Sequence, residues 1–314
     1  MKRKVNRVGK NTLTVSLPSK WTQKHKISAG EEVDIEEHGN KIVVFKSDIE
    51  QRKNISLSID DLSYFALAKV LHACYEQNYD TVTLTFSKSY IKSYFQERNV
   101  SLFDSINNFV SRLVTFEIIS QQDDKIVIKD ISEKLVQLNT IISRVFFLCE
   151  EYLDCLIKDI KTGNREDLEA ALVRHDGIAK YVTLACRMLL QEEIGQRNYV
   201  VHNYLILNYL DKSADFLRAA YRHTKNYKKK ISVRSINLLE KALEYLKTLR
   251  KLYYKFDYNT MMDLDALKGD IQKISSEIAS SSPSELIVIS DVICMITALH
   301  GTVKSRIALH LDGF

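Results

Sequence analysis

Apolar and polar residues alternate near the N-terminus of the chain, a pattern that predicts short strands with one buried face. Between Thr12 and Leu17 the apolar residues occupy every second position, and similar alternation continues over residues 32–36 and 41–45. Gly9 and residues 38–40 are placed to form turns, and Pro18 can open a short helix that ends near His25. We therefore predict a β-rich module over residues 1–47.

A module of this size buries too little apolar surface to be comfortably stable alone, and its strands need more partners than it contains. Interleaving the strands of two copies satisfies both needs. The pattern therefore predicts a homodimer held together by this module.

Residues 55–131 have a mixed α/β pattern after a polar connector at residues 48–54. Ser58 to Asp61 and Ser101 to Asp104 resemble helix N-caps, for helices that end near Glu76 and near Leu113. Three segments have the alternation typical of strands, namely Thr81–Phe86, Thr115–Ser120 and Lys125–Lys129. We expect one small α/β segment here.

From Ser132 onward the apolar period becomes helical. Two seams advance by three and four residues, as helices packed against each other require: Leu135, Leu138, Ile142, Val145, Cys149, Tyr152 and Leu156, and then Leu239, Ala242, Leu246, Leu249, Tyr253 and Phe256. Breaks at residues 162–164 and Gly195, and a capping box at Ser282–Glu285 with Pro283 at its first helical position, divide the helices. The pattern predicts two three-helix bundles, over residues 132–228 and 231–314. The expected fold is multi-domain and mainly α, with a β-rich N-terminal module.

Motifs typical of several large enzyme classes are missing from the sequence. It contains no G-x-x-x-x-G-K, no G-x-G-x-x-G and no nucleophile elbow, so we expect no enzymatic activity. It also has no run of about 18 apolar residues and no continuous apolar stretch near Met1. We therefore expect a cytoplasmic protein that does not insert into a membrane.

Positive charge is concentrated at the N-terminus. Residues 1–30 contain eight lysines and arginines and no acidic residue, so the rest of a chain with a net charge of +5 carries −3. A basic head on a slightly acidic body predicts a polyanionic partner. Arg3 and Arg7 suit guanine edges and Asn11 suits adenine. The candidate DNA-binding residues are Lys2, Arg3, Lys4, Arg7, Lys10, Asn11, Lys20 and Lys24.

The N-terminal module resembles the AbrB/SpoVT/MazE swapped-hairpin family. The resemblance rests on Val5-x-x-Val8-Gly9-Lys10, on Leu13–Pro18, and on Ile27-x-x-Gly30-x-x-Val33-x-Ile35. It implies an intertwined homodimer that lays basic residues on double-stranded DNA.

The helical part resembles PhoU, and the whole chain is similar to archaeal proteins that join such a head to a PhoU body. This resemblance rests on the helical architecture and on Arg174-His175-Asp176-x-Ile178-x-Lys180, with Arg187 beyond. It implies a regulator of phosphate uptake, with a phosphate-transport or signalling protein as a partner. PhoU helices often carry acidic residues four apart that bind metal. Here that motif is degenerate, with Asp176 and Asp270 as weak metal candidates, and no cofactor is required.

Three functions remain open at this point. In the first, the protein is a DNA-binding transcription regulator whose helical body senses a signal. In the second, it is a phosphate-signalling adaptor whose head only dimerises. The third and weakest is an antitoxin, because such proteins place a disordered toxin-binding tail after the head, whereas this chain continues into helices.

Overall fold

Strands dominate the N-terminal end of the chain and helices dominate the rest, as the hydrophobic pattern predicts. The chain divides into two units, residues 1–52 and residues 53–314, which we call the head and the body. This computed structural model describes residues 2–38, 41–46, 53–131, 137–163, 168–191, 197–225, 231–278 and 282–313. The predicted start at Ser132 and the turns predicted at Gly39-Asn40, Asn164 and Gly195 lie outside these ranges.

The head contains two antiparallel hairpins and one short helix. Its elements are β1 (Val5–Val8), β2 (Thr12–Val15), α1 (Ser19–Lys24), β3 (Asp34–His38) and β4 (Lys41–Phe45). β1 pairs with β2, and β3 pairs with β4. Gly9 turns the first hairpin with a φ of 72°, a conformation that glycine adopts without strain. Pro18 immediately precedes α1, whereas β2 ends three residues earlier, at Val15.

The body begins with a sheet and two covering helices. The sheet order is β5-β6-β10-β9, with β5 (Asn54–Ser58) parallel to β6 (Thr81–Thr85), and β10 (Lys125–Asp130) antiparallel to both β6 and β9 (Phe116–Gln121). The helices α2 (Tyr64–Glu76) and α3 (Leu102–Val110) share a core with the sheet. A separate hairpin joins β7 (Tyr90–Ser93) to β8 (Arg98–Ser101). Buried residues such as Leu67, Val82 and Ile126 form this core.

One predicted helix start was wrong. Ser58 does not cap α2, because residues 54–58 pair with β6 and the backbone N–H of Ile59 still donates to Thr85. Ser63 is the N-cap instead, and its hydroxyl accepts a hydrogen bond from the N–H of Ala66 at 3.3 Å. At α3 the predicted cap is confirmed, since the Ser101 hydroxyl accepts from the N–H of Asp104.

The long helices of the body bury most of the described residues of the two predicted seams, and Leu135 of the first seam lies outside the described ranges. These helices are α4 (Leu138–Thr162), α5 (Leu168–Leu189), α6 (Arg197–Lys225), α7 (Val233–Tyr254), α8 (Tyr258–Ile278) and α9 (Pro283–Leu311). Ile142 and Tyr152 of the first seam and Leu239 and Leu246 of the second are buried in one hydrophobic cluster that draws on all of these helices. Gly301 of α9 meets α6 closely, since a Cβ there would lie 2.8 Å from the ring of Tyr209.

The start of α9 differs in detail from the predicted capping box. Ser282 and Pro283 occupy the N-cap and first helical positions, as predicted. The carboxylate of Glu285, however, accepts hydrogen bonds from the Ser232 N–H at 2.9 Å and from the Ser235 hydroxyl. Glu285 therefore joins the start of α9 to the start of α7.

We expect no membrane span from the sequence, and the length and composition of helix α9 must be compared with that expectation. Among the described residues, it alone is long and apolar enough to cross a membrane by length and composition. Core helices of soluble proteins also meet this criterion, and one face of α9, including Val288, Val292 and Leu299, is buried against the other helices.

Arg187 of α5 joins the sheet part of the body to the long helices. Its guanidinium donates hydrogen bonds to the carbonyl oxygen of Tyr75 and to the carboxylate of Asp130. It also lies 4.5 Å from the centroid of the Tyr75 ring and 5.4 Å from that of Phe116. The Arg187 and Asp130 side chains are 5% and 8% exposed, so these two charges compensate each other out of contact with water.

Candidate nucleic-acid interface

The first hairpin of the head carries apolar residues and a cation on the same face. Val5 pairs with Val15 and Arg7 with Leu13, and directly paired residues of antiparallel strands point to the same side. Val5, Leu13 and Val15 are 62%, 64% and 54% exposed. A single copy thus leaves the apolar side of this hairpin in water.

The second hairpin has the same property. Ile35 pairs with Val44, and Ile42 lies two residues before Val44 on the same side. Ile35 and Ile42 are 62% and 66% exposed. None of the head's side chains that the structure describes is buried. One copy of the head therefore has no core of its own, and its exposed apolar faces match the predicted need for a second copy.

The predicted DNA-binding residues lie on four parts of the head. Lys2, Arg3 and Lys4 precede β1, Arg7 lies within it, Lys10 and Asn11 form the turn with Gly9, and Lys20 and Lys24 lie four apart on α1. All of them are exposed, and none of the cations pairs with an acidic residue in the described part of the head. In a single copy, their side chains are therefore accessible to a ligand in solution.

Glu31, unlike these cations, has hydrogen-bond and ion-pair partners within the head. Its carboxylate accepts hydrogen bonds from the Ser28 N–H at 3.1 Å and from Lys46 Nζ at 3.1 Å. The Ser28 N–H and then the Lys46 ammonium lower the pKa of Glu31. This acid is thus neutralised locally by residues outside the predicted contact set.

The two weak metal candidates of the body both form ion pairs with neighbouring side chains. Asp176 lies 3.1 Å from both the Nδ1 of His175 and the guanidinium of Arg112, and Asp270 lies 3.5 Å from Lys241 Nζ. Within the described ranges, no three His, Cys, Asp or Glu residues are grouped so as to hold a metal ion. These two residues therefore serve as ion-pair partners in this structure.

Sequence interpretation missed a pair of acids with the metal-motif spacing. Asp211 and Asp215 are four apart on α6, whereas the predicted metal candidates were Asp176 and Asp270. Asp215 is held by Nε2 of His175 at 3.2 Å, by Lys212 at 3.1 Å and by Arg218 at 2.7 Å. The His175 hydrogen bond and then these cations lower the pKa of Asp215, so it is firmly ionised.

His175 links two carboxylates and predicts a pH dependence of stability. Burial lowers its pKa, but hydrogen bonds to Asp176 and Asp215 outweigh burial, and the net shift is upward despite the nearby Arg218. A folded pKa above the unfolded value of about 6.5 stabilises the body fully below that pH, and the stabilisation is lost as pH rises through the folded pKa.

We therefore expect the difference in unfolding free energy between the natural chain and a His175→Gln variant to shrink as pH rises from about 6 to about 8. Urea unfolding followed by circular dichroism at each pH measures this difference. The Asp215→Asn variant, which keeps His175 but removes one carboxylate, should show a smaller pH dependence. If the unfolding free energies of the natural chain and of His175→Gln change with pH in parallel, the stabilising role given to protonated His175 is contradicted.

A known protein family matches the chain, and the match is confined to the head. A family model described as "Antidote-toxin recognition MazE, bacterial antitoxin" matches residues 7–52. No curated protein and no solved structure matches the chain. The head is thus similar to MazE antitoxins over residues 7–52. The match supports a DNA-binding or antitoxin-like regulatory role for this unit, and it does not extend into the body.

Proposed function

We propose that the protein is a homodimeric, DNA-binding transcription regulator whose helical body receives a signal. One observation carries this proposal: a MazE/AbrB-like head with no core of its own exposes a set of cations that no acid in the described head neutralises. Such cations bind phosphates mainly by releasing counterions from DNA, so affinity must depend strongly on salt.

We further propose that the signal concerns phosphate uptake or phosphate homeostasis. This part rests on the resemblance of the body to PhoU, carried by its long helices and by the motif that contains His175, Asp176 and Lys180. The proposed partners are double-stranded DNA, a second copy of the chain and a phosphate-transport or signalling protein. The proposed place of action is the cytoplasm, and the proposal includes no catalytic step and no required cofactor.

DNA binding by the full chain and by a chain that lacks residues 1–52 tests the proposal. The full chain should bind duplex DNA at about 50 mM salt, with an affinity that falls steeply and log-linearly as salt rises. The shortened chain keeps the whole body as a separate unit and should not bind. Fluorescence anisotropy across a salt series measures both. Absence of binding by the full chain at the lowest salt would refute the regulator.

A second candidate function is that of an antitoxin, because the matching family model describes bacterial antitoxins. In that case, or if the protein is a phosphate-signalling adaptor, the head serves dimerisation or partner capture and DNA is not the main ligand. The DNA test separates these cases from the regulator, because an adaptor would fail it while still dimerising through the head, and analytical ultracentrifugation checks that dimerisation.

A further inference from the structure

A polar cavity of about 430 Å³ lies in the body where α2 faces α5 and α6. Ala73 of α2 and Ala179 of α5 line it, and these small side chains leave room between the helices. The cavity is at the smaller end of the usual range for small-molecule sites. The neighbouring Arg187 link to Tyr75 and Asp130 holds α2 against α5, so the walls are fixed before any ligand arrives.

One part of the cavity is acidic. The Glu76 carboxylate accepts a hydrogen bond from the Tyr204 hydroxyl at 3.1 Å, and Asp211 lies close enough to influence its charge. Burial raises the pKa of Glu76 and the pKa of Asp211. In the described part of the chain neither carboxylate forms an ion pair within 4 Å, although the charge of Lys69, which also lines the cavity, acts on both. Burial disfavours the charged forms of these two groups, and a cation bound beside them would favour those forms.

Another part of the cavity is basic. Arg112 pairs with Asp176, which also lines the cavity, at 3.1 Å, and the Lys180 ammonium has one long hydrogen bond, 3.5 Å, to the Ser111 carbonyl oxygen. His72 lies one helical turn before Glu76 on α2, and burial, followed by the charges of Lys69 and Arg112, lowers its pKa. Arg112 and Lys180 thus supply the positive charge of one part of the lining, where Asp176 partly compensates Arg112, and Glu76, Asp211 and the Tyr204 hydroxyl form another part.

Ligands of a single charge sign fit this arrangement poorly. An anion such as inorganic phosphate would be repelled by Glu76 and Asp211. A metal ion would face Arg112 and Lys180, and the described residues offer no group of three suitable ligands. A molecule with a positive group at one end and a negative group at the other would satisfy both parts, because desolvated charges are favourable only when they are paired.

We propose that this cavity binds a small zwitterion of amino-acid size, with its ammonium group at Glu76 and Asp211 and its anionic group at Arg112 and Lys180. The binding site stands on the body alone. Its role as the signal of a DNA-binding regulator rests on the proposed function.

Calorimetry and thermal denaturation of the full-length protein test the site, with each of the standard amino acids as a separate probe. Putrescine, inorganic phosphate and magnesium chloride serve as single-sign probes at the same millimolar concentrations. At least one amino acid should bind and raise Tm, and the single-sign probes should bind at least about 10-fold more weakly. No binding by any amino acid, or equal binding by putrescine, phosphate or magnesium, would overturn the proposal.

Variants then locate the bound molecule. The Glu76→Gln/Asp211→Asn variant removes two desolvated charges and should fold, yet it should bind the amino acid at least about 10-fold more weakly. Arg112→Gln should weaken binding from the other end of the ligand. The matched control Asp263→Asn/Glu277→Gln changes two carboxylates on α8, away from the cavity, and should bind normally. Undiminished binding by the cavity variants would overturn the proposed site.

DNA affinity measured on the same samples separates this inference from the proposed function. Failure of amino-acid binding with DNA binding intact overturns the site and leaves the regulator standing. Amino-acid binding without DNA binding supports the site and refutes the regulator.

Discussion

We expect a full-length chain with Arg7→Glu and Lys10→Glu to bind duplex DNA about 100-fold more weakly than the natural chain at about 100 mM salt. The expected loss is large because two exposed cations that lie close together, one in β1 and one in its turn, become anions that repel the phosphates. The slope of log affinity against log salt should also become shallower by about two, since two phosphate contacts disappear.

The matched control is Lys273→Glu/Lys304→Glu, which makes the same change in net charge on exposed positions of α8 and α9. If the contact is confined to the head, this variant should bind within about threefold of the natural chain, because long-range repulsion is screened beyond about 10 Å at this salt. Equal losses in both variants would mean that net charge alone, and not the head surface, controls binding.

Replacing Arg187 by methionine should lower the free energy of unfolding of the chain by about 3 kcal/mol, because it removes one member of a buried ion pair. The change takes away two hydrogen bonds and two aromatic contacts, and it removes the guanidinium charge that compensates Asp130 in a site almost without water. Urea unfolding monitored by circular dichroism at neutral pH measures the loss.

Arg144→Met is the comparison, since Arg144 stacks on the exposed ring of Phe147 at 5.4 Å and is expected to contribute less than about 1 kcal/mol. Adding Asp130→Asn to Arg187→Met should recover part of the stability, because the remaining buried charge is then removed. If the Arg187 and Arg144 variants lose the same stability, the buried link does not hold the two parts of the body together.

Much of the fold could be predicted because its signals are local. The alternation around Leu13, the caps at Ser101 and Ser282, and the helical seam through Ile142 and Tyr152 each depend on residues within a few turns of chain. The strand β5 could not be found in this way. Its parallel pairing with β6 joins residues more than twenty positions apart, and Ser58 to Asp61 imitate a helix cap.

The β7–β8 hairpin was also missed, although it is local. Lys92 and Arg98 interrupt the apolar alternation, and Ile91 is its most deeply buried apolar residue. Hydrogen bonding between the two strands, rather than a clear hydrophobic pattern, defines this element.

The two candidate sites differ in the same way, because only one of them is formed by residues that are close together in the sequence. The basic N-terminal segment could be identified from charge alone, since eight cations without an acid in residues 1–30 are a property of the sequence. The polar cavity could not, because Glu76, Arg112 and Asp211 are far apart along the chain and meet only when α2 lies on α5 and α6. The spacing of Asp211 and Asp215 was the one local signal, and it does not indicate that His175 lies beside them.

The absence of buried side chains among the described residues of one head has a consequence for how the protein responds to its own abundance. When folding requires a second copy, the fraction of folded heads rises with protein concentration, and stability cannot be separated from it. For the proposed DNA-binding regulator, we therefore expect the occupancy of DNA to increase more steeply than in proportion to the number of chains. A modest change in synthesis or degradation would then alter that occupancy more than proportionally.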